Sequence, residues 1–186
     1  MRSRGEWRAW LQTNHQTSRG VWLVTFKQGS AHYFSYGERV EEALCFGWVD
    51  SLARGLDDTR SMQLFTPRKP KSNWSGPNTE RVARLTAAGL MTPAGQAMVD
   101  LAKATGTWTA LDDVEAGVEP DDLAAALDAV ADPRRHWDAF PPGARRVLLG
   151  WLLTARTPQT RAKRIEEIVA RAAENVRANQ PRQPRQ

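Results

Sequence analysis

A chain of 186 residues, 41% hydrophobic and 25% charged, has the length for one domain or two small ones with a real hydrophobic core. A mean hydropathy of −0.56 and the lack of any apolar run near ~18 residues exclude a membrane-spanning helix. A charged start with no apolar stretch behind it speaks against a secretory leader, and one cysteine, Cys45, excludes an internal disulfide or a multi-cysteine zinc site. The expectation is a soluble, cytoplasmic protein without integral membrane association.

The net charge of +5 is unevenly distributed. Residues 1–110 carry 14 Lys/Arg against 9 Asp/Glu, residues 111–133 none against 8, and residues 134–186 carry 12 against 4. An isoelectric point near 9.9 invites a nucleic-acid reading, but the acidic central block argues for internal pairing.

In chain order, Trp7, Trp10 and Leu11 share one face of a short N-terminal helix. Residues 21–27, rich in β-branched and aromatic side chains and closed by Gly29, form the best strand candidate. Ser35 and Glu38 have capping-box spacing and open a helix that turns Val40, Ala43 and Leu44 inward and stops near Gly47. Residues 48–52 and 62–66 read as two short strands around a turn holding Gly55, Asp57 and Asp58. Pro67 and Pro70 then break regular structure.

Everything further reads as helical. Asn78 is the expected cap of a helix carrying Val82 and Leu85, and Pro93 sits in the favoured first position of the next. Helices follow from Asp121, from Asp132 and from Pro142, the last with Val147, Leu148, Trp151 and Leu152 on one stripe. Residues 158–177 place Ile165, Ile168, Val169, Ala172 and Val176 on an amphipathic face. The tail from Asn179 is expected to be disordered. The fold class is therefore α+β: a small antiparallel or mixed sheet with flanking helices over 1–110, a helical module over 111–178, and a tail over 179–186, the parts packed as one body.

Several segments carry a family resemblance: Gly20-Val-Trp-Leu-Val-Thr-Phe-Lys27, Glu42-Ala-Leu-Cys-Phe-Gly-Trp-Val-Asp50 and Phe65-Thr-Pro-Arg-Lys-Pro-Lys-Ser-Asn-Trp-Ser75, then Gly89-Leu-Met-Thr-Pro-Ala-Gly95, residues 111–125, Phe140-Pro-Pro-Gly-Ala-Arg-Arg146 and Thr157-Pro-Gln-Thr-Arg-Ala-Lys-Arg-Ile165. Over about residues 5–178 the chain resembles the YdeI/OmpD-associated (OmdA-type) family. The resemblance implies a non-enzymatic role in bacteriocin protection, antimicrobial-peptide resistance or stress response. It brings no catalytic residue.

The residues themselves offer two candidate surfaces. If residues 45–50 and 68–75 converge, Asp50, Arg54, Arg68, Lys69, Ser72 and Trp74 line a cation-rich pocket suited to a small anionic ligand or a protein partner. The bland alternative makes the tryptophans core and Asp50–Arg68 an architectural ion pair. The second surface is the basic helix with Arg161, Lys163 and Arg164, which would bind nucleic acid or another anion. Against it, Glu167–Arg171 and Glu174–Arg177 have the spacing of solvated helix pairs. Cys45 beside Phe46 reads as a small buried hydrophobe rather than a nucleophile. His15, His32 and His136 lack ligand spacing, so no metal, cofactor or catalytic group is expected.

Overall fold

The computed structural model describes residues 1–179, so the tail expected to be disordered falls, apart from Asn179, outside the described residues. The chain divides into two compact units, Met1–Ala110 and the residues from Leu111 on.

The first unit runs α1 (Arg4–Asn14), β1 (Val21–Phe26), α2 (Tyr36–Cys45), β2 (Trp48–Gly55), β3 (Arg60–Pro67), α3 (Gly76–Ala87) and α4 (Pro93–Thr105). The strands form one antiparallel sheet in the order β1-β3-β2. The β2–β3 turn is held by Asp57, whose carboxylate accepts the backbone N–H groups of Thr59 and Arg60 and the Arg60 side chain. Pairing slips between Asp50 and Ala53, which oppose Phe65 and Gln63, so the strand carries a bulge there. Strand alternation gives the sheet two faces. Leu23, Thr25, Gln63 and Phe65 point into the unit and are buried, whereas Trp22, Val24, Phe26, Met62 and Leu64 lie on the other side, half-buried.

The inner face, α1, α2, α3 and α4 share a core in which the tryptophans hold central places. Trp7 stacks on Trp10 at 5.4 Å and meets Phe65 at 5.3 Å, Trp10 meets the edge of Trp48 at 5.8 Å, and Trp74 meets Trp108 at 5.0 Å. The buried indole N–H groups find acceptors: Trp7 donates to the Arg39 carbonyl at 3.1 Å and Trp48 to the His15 carbonyl at 3.2 Å. The expected capping box of α2 is present, with Ser35 accepting from the Glu38 N–H and the Glu38 carboxylate accepting from the Ser35 N–H. Helix α3 starts earlier than Asn78 suggested, from Ser75, because Pro77 fits its first turn.

The end of α2 and the start of α4 interlock. The Cys45 carbonyl accepts both the N–H (3.1 Å) and the hydroxyl (2.6 Å) of Thr92, and the same hydroxyl caps α4 by accepting the Gly95 N–H. A Cβ on Gly95 would lie 2.2 Å from the Cys45 carbonyl oxygen, so only glycine allows this approach. Gly47 adopts φ +73° beside Met98 and turns the chain from α2 into β2.

The second unit contains α5 (Asp112–Ala116), α6 (Asp121–Asp128), α7 (Ala131–Ala139), α8 (Pro142–Leu153) and α9 (Pro158–Ala173). Helix α5, a five-residue element, was not foreseen. The core holds Leu123, Leu127, Trp137, Leu148, Leu149, Leu152, Ile168 and Ala172. Its acidic residues are used inside the unit: Glu119 accepts the Trp137 indole N–H at 2.7 Å and pairs with Arg134 at 2.7 Å, and Asp122 pairs with Arg161 at 2.6 Å. Helix α9 stops at Ala173, short of the expected 177, and Asn175 takes φ 56° just beyond. Glu174 therefore pairs back to Arg171 at 2.7 Å instead of forward to Arg177.

Two outcomes follow. Gly95→Ala destabilises the protein by more than about 3 kcal/mol in urea unfolding, because a backbone oxygen cannot yield as a side chain can. Gly5→Ala in α1, where the nearest atom is Ser3 Oγ at 3.9 Å, is neutral or mildly stabilising; equal losses for both would refute the interlock. Glu119→Ala costs about 2 kcal/mol by stranding the Trp137 N–H, and Glu119→Gln, which keeps an acceptor, costs clearly less by the same measurement.

Candidate functional site

Asp50, Arg68 and Trp74 are brought together in the first unit, through elements distant in sequence. Asp50 precedes the β2 bulge and faces inward. Its carboxylate accepts the Tyr36 hydroxyl at 3.0 Å and the Gln63 amide N–H at 2.9 Å. Arg68 follows β3 at once, and its backbone N–H donates to the Gly47 carbonyl at 2.9 Å. Its guanidinium carbon sits over the Trp74 ring, 3.9 Å from the centroid, and the group donates one N–H to the Asn73 carbonyl at 3.0 Å.

Arg68 is only 6% exposed, and its Nε is buried without a hydrogen-bond partner. Burial pushes its guanidinium down to about 10, and Asp50 is the charge that opposes this. The ion pair weighed from sequence does not form. Among the described residues Arg68 pairs with no carboxylate, and Asp50 is engaged by Tyr36 and Gln63.

A second arginine repeats the pattern. Arg39, on α2, donates to the Thr25 hydroxyl at 2.8 Å, and its Nε is also buried and unpartnered. Burial lowers its pKa, offset by Tyr33, Tyr36 and Asp50. Arg81, on α3, holds the Asn78 side chain at 3.1 Å with its guanidinium 6.0 Å from the Tyr36 ring. Arg68 and Arg39 thus both feel the charge of one carboxylate, Asp50, while Arg81 stands by the ring of Tyr36, whose hydroxyl binds that carboxylate, an arrangement with a formal excess of positive charge. Chemically it can bind an anion through charge-assisted hydrogen bonds.

The other sequence candidates lie elsewhere. Arg54 falls after the bulge, pairs in register with Met62, and rests over Trp22 at 5.2 Å on the opposite face of the sheet. Lys69 is exposed, and Ser72 is half-buried with its N–H on the Lys69 carbonyl. Arg39, Tyr36, Gln63 and Arg81 were missed, since nothing in their local spacing announces a contact made only through tertiary packing. The cleft of about 350 Å³ lined by Arg8, Gln12, His15, Phe46, Thr92 and Ala94 is not this cluster, and its cation is already paired with Glu42 at 2.7 Å. Burial raises the Cys45 thiol, which keeps it protonated and unsuited to nucleophilic work.

In the second unit, the basic helix offers fewer free cations than its sequence suggests. Arg161 is paired with Asp122, Arg164 binds the Trp151 carbonyl and the Thr154 hydroxyl while covering the Trp151 ring, and Lys163 is exposed. Among the described residues no group of His, Cys, Asp or Glu is placed to hold a metal ion, and no helix is long and apolar enough to cross a membrane.

Residues 1–98, more than half of the chain, match the family described as Domain of unknown function (DUF8412). The chain belongs to that family. Residues 117–175 match a second family, described as Bacteriocin-protection, YdeI or OmpD-Associated (OmdA). The OmdA-type resemblance read over nearly the whole chain is therefore met in the second unit, while the segments around Cys45–Gly47 and Arg68–Trp74 belong to the DUF8412 region, as does every residue of the arginine cluster. No curated protein and no solved structure matches the chain.

The coupling of Asp50 to Tyr36 has a direct readout. Burial, and then the hydrogen bond to Asp50, hold the Tyr36 hydroxyl above its ordinary value, with Arg81 and Arg39 pulling the other way. With only two tyrosines in the chain, alkaline near-ultraviolet titration follows the raised Tyr36 transition. Asp50→Asn moves the raised transition down, since the negative charge beside the forming phenolate is gone. An unchanged curve would disprove the contact.

Proposed function

We propose that this chain is a non-enzymatic, bacteriocin-protection-type protein that acts from the cytoplasm in antimicrobial-peptide or stress resistance, and that its first unit binds a small anionic ligand at the Arg68–Arg39–Asp50 cluster. The protective role rests on the OmdA match of residues 117–175. The binding role rests on one observation: a guanidinium buried to 6% exposure, with an unpartnered Nε and no carboxylate in ion-pair contact.

Burying a cation without a counter-ion costs several kcal/mol even after relaxation, on the order of the penalties for broken buried pairs. A carboxylate or phosphate oxygen reaching Arg68 supplies the missing charge and an acceptor for its Nε. Asp50 does not fill that role: its Oδ2 accepts from both Tyr36 and Gln63, and among the described residues its carboxylate is in ion-pair contact with neither arginine. Its charge instead tempers the site, keeping the cluster foldable when empty and weakening its hold on an anion. The nucleic-acid reading of α9 has less support, as Arg161 and Arg164 are engaged within their own unit.

Inorganic phosphate is the simplest probe. At ten times its dissociation constant and matched ionic strength it raises the melting temperature of the intact protein by about 3–6 °C over chloride. Arg68→Gln abolishes the rise, and Asp50→Asn enlarges it. Cells expressing the Arg68→Gln chain lose protection against a bacteriocin challenge that the unaltered chain provides. Identical melting in phosphate, citrate and chloride would refute the anion site.

A further inference from the structure

The outer face of the three-stranded sheet has the composition of a stacking platform. Register places Trp22 and Leu64 side by side, then Val24, Met62 and Arg54, then Phe26 and Arg60. None of Trp22, Val24, Phe26, Met62 or Leu64 belongs to the core of the first unit. Each is half-buried, so each presents apolar surface to solvent. Trp22 and Phe26, four residues apart on one strand, stand about 13 Å from each other on the same face.

The charges on this face are cationic. Arg54 reaches across β3 from β2 to cover the Trp22 ring at 5.2 Å, and among the described residues it has no carboxylate partner. Arg60 stands opposite Phe26, its charge shared with Asp57 at 2.6 Å in the turn. The His32 ring lies 5.5 Å from Phe26 and adds a second flat polar surface. The inner-face carboxylate, Asp50, points the other way, into the arginine cluster.

Aromatic rings on an open antiparallel sheet, separated by apolar side chains and bordered by a free guanidinium, fit one class of partner best. Unpaired bases stack on such rings whatever their sequence, and a guanidinium beside them takes the phosphates between. A duplex does not fit, because its bases are already stacked inside. A purely apolar protein partner leaves Arg54 desolvated and without a counter-ion. We propose that this sheet face binds single-stranded nucleic acid, with bases on Trp22 and Phe26 and the backbone on Arg54. The site is distinct from the arginine cluster and uses none of its residues.

The test is fluorescence anisotropy of a labelled oligo-dT of about 12 nucleotides with the full chain. Binding is expected at about 50 mM salt, falling steeply toward 200 mM. Trp22→Leu and Phe26→Leu, which keep apolar bulk but remove the ring, each weaken it by about 5- to 150-fold, while Trp22→Phe retains most of it. Arg54→Gln lowers the slope of log affinity against log salt by about 0.7. Arg68→Gln leaves oligonucleotide affinity unchanged, so a failed anion site and a failed sheet site give different results. Circular-dichroism melting establishes that each variant is folded. No binding at low salt, equal affinity for the ring-deleted variants, or binding lost only on Lys163→Gln would overturn the proposal.

Discussion

The first unit depends on one carbonyl. The Cys45 C=O, left without an intrahelical donor at the end of α2, accepts both the N–H and the hydroxyl of Thr92, the cap of α4. That contact sets two helices end to start, where the partial negative charge of one terminus meets the partial positive charge of the other. It is possible only because Gly95 has no side chain at the approach. Two residues on, Gly47 takes a left-handed conformation, sends the chain into β2, and offers its own carbonyl to Arg68. Helix packing, the entry to the sheet and the start of the arginine loop thus meet within three residues.

The two units treat their partly or fully buried arginines in opposite ways. In the second, Arg134 is surrounded by Glu119, Asp138 and Asp128, and its hydrogen bonds to the first two raise its pKa. In the first, Arg68 is buried and Arg39 half-buried with its Nε out of reach of water, a single carboxylate acts on both, and their pKa values fall. Since both units draw on the same side chain, the difference lies in placement: a satisfied guanidinium fixes structure, whereas an unsatisfied one keeps binding capacity in reserve. The shortfall around Arg68 is what supports a ligand there.

Local chemistry was legible in the sequence and tertiary chemistry was not. The Ser35–Glu38 capping box, Pro93 at the start of α4 and Gly47 at the end of α2 are signals confined to a few residues, and the structure places each where its spacing indicated. Three strands were visible as β-branched and aromatic runs, but their order β1-β3-β2 was not. The site divided along the same line. Asp50, Arg68 and Trp74 stood out because they lie in dense motifs. Arg54 stood out equally, yet the bulge between Asp50 and Ala53 carries it to the other face. Arg39 and Gln63 gave no signal, because their roles exist only once α2 and β3 pack against β2. Helix α9 was extended too far, since the apolar period runs through Val176 while Asn175 breaks the backbone.

The bulge also explains how a chain with a modest excess of positive charge places it. Within the acidic block of residues 111–133, Glu119, Asp122, Asp128 and Asp132 pair with Arg134, Arg135 and Arg161, so part of the second unit's charge is internally balanced. The unbalanced cations of the first unit fall on both sides of one small sheet. Before the bulge, β2 turns Asp50 inward, on the side of the buried Arg68 and the half-buried Arg39, where a small anion would be held strongly at short range. After it, β2 turns Arg54 outward onto Trp22, where charge is screened by salt and a partner must add contact area to bind. The inner face therefore suits a compact, highly charged ligand and the outer face an extended one that brings flat apolar surface with its charge. A basic isoelectric point, uninformative as a sum over the chain, acquires chemical meaning when its positive charges are sorted by the face on which a single strand irregularity places them.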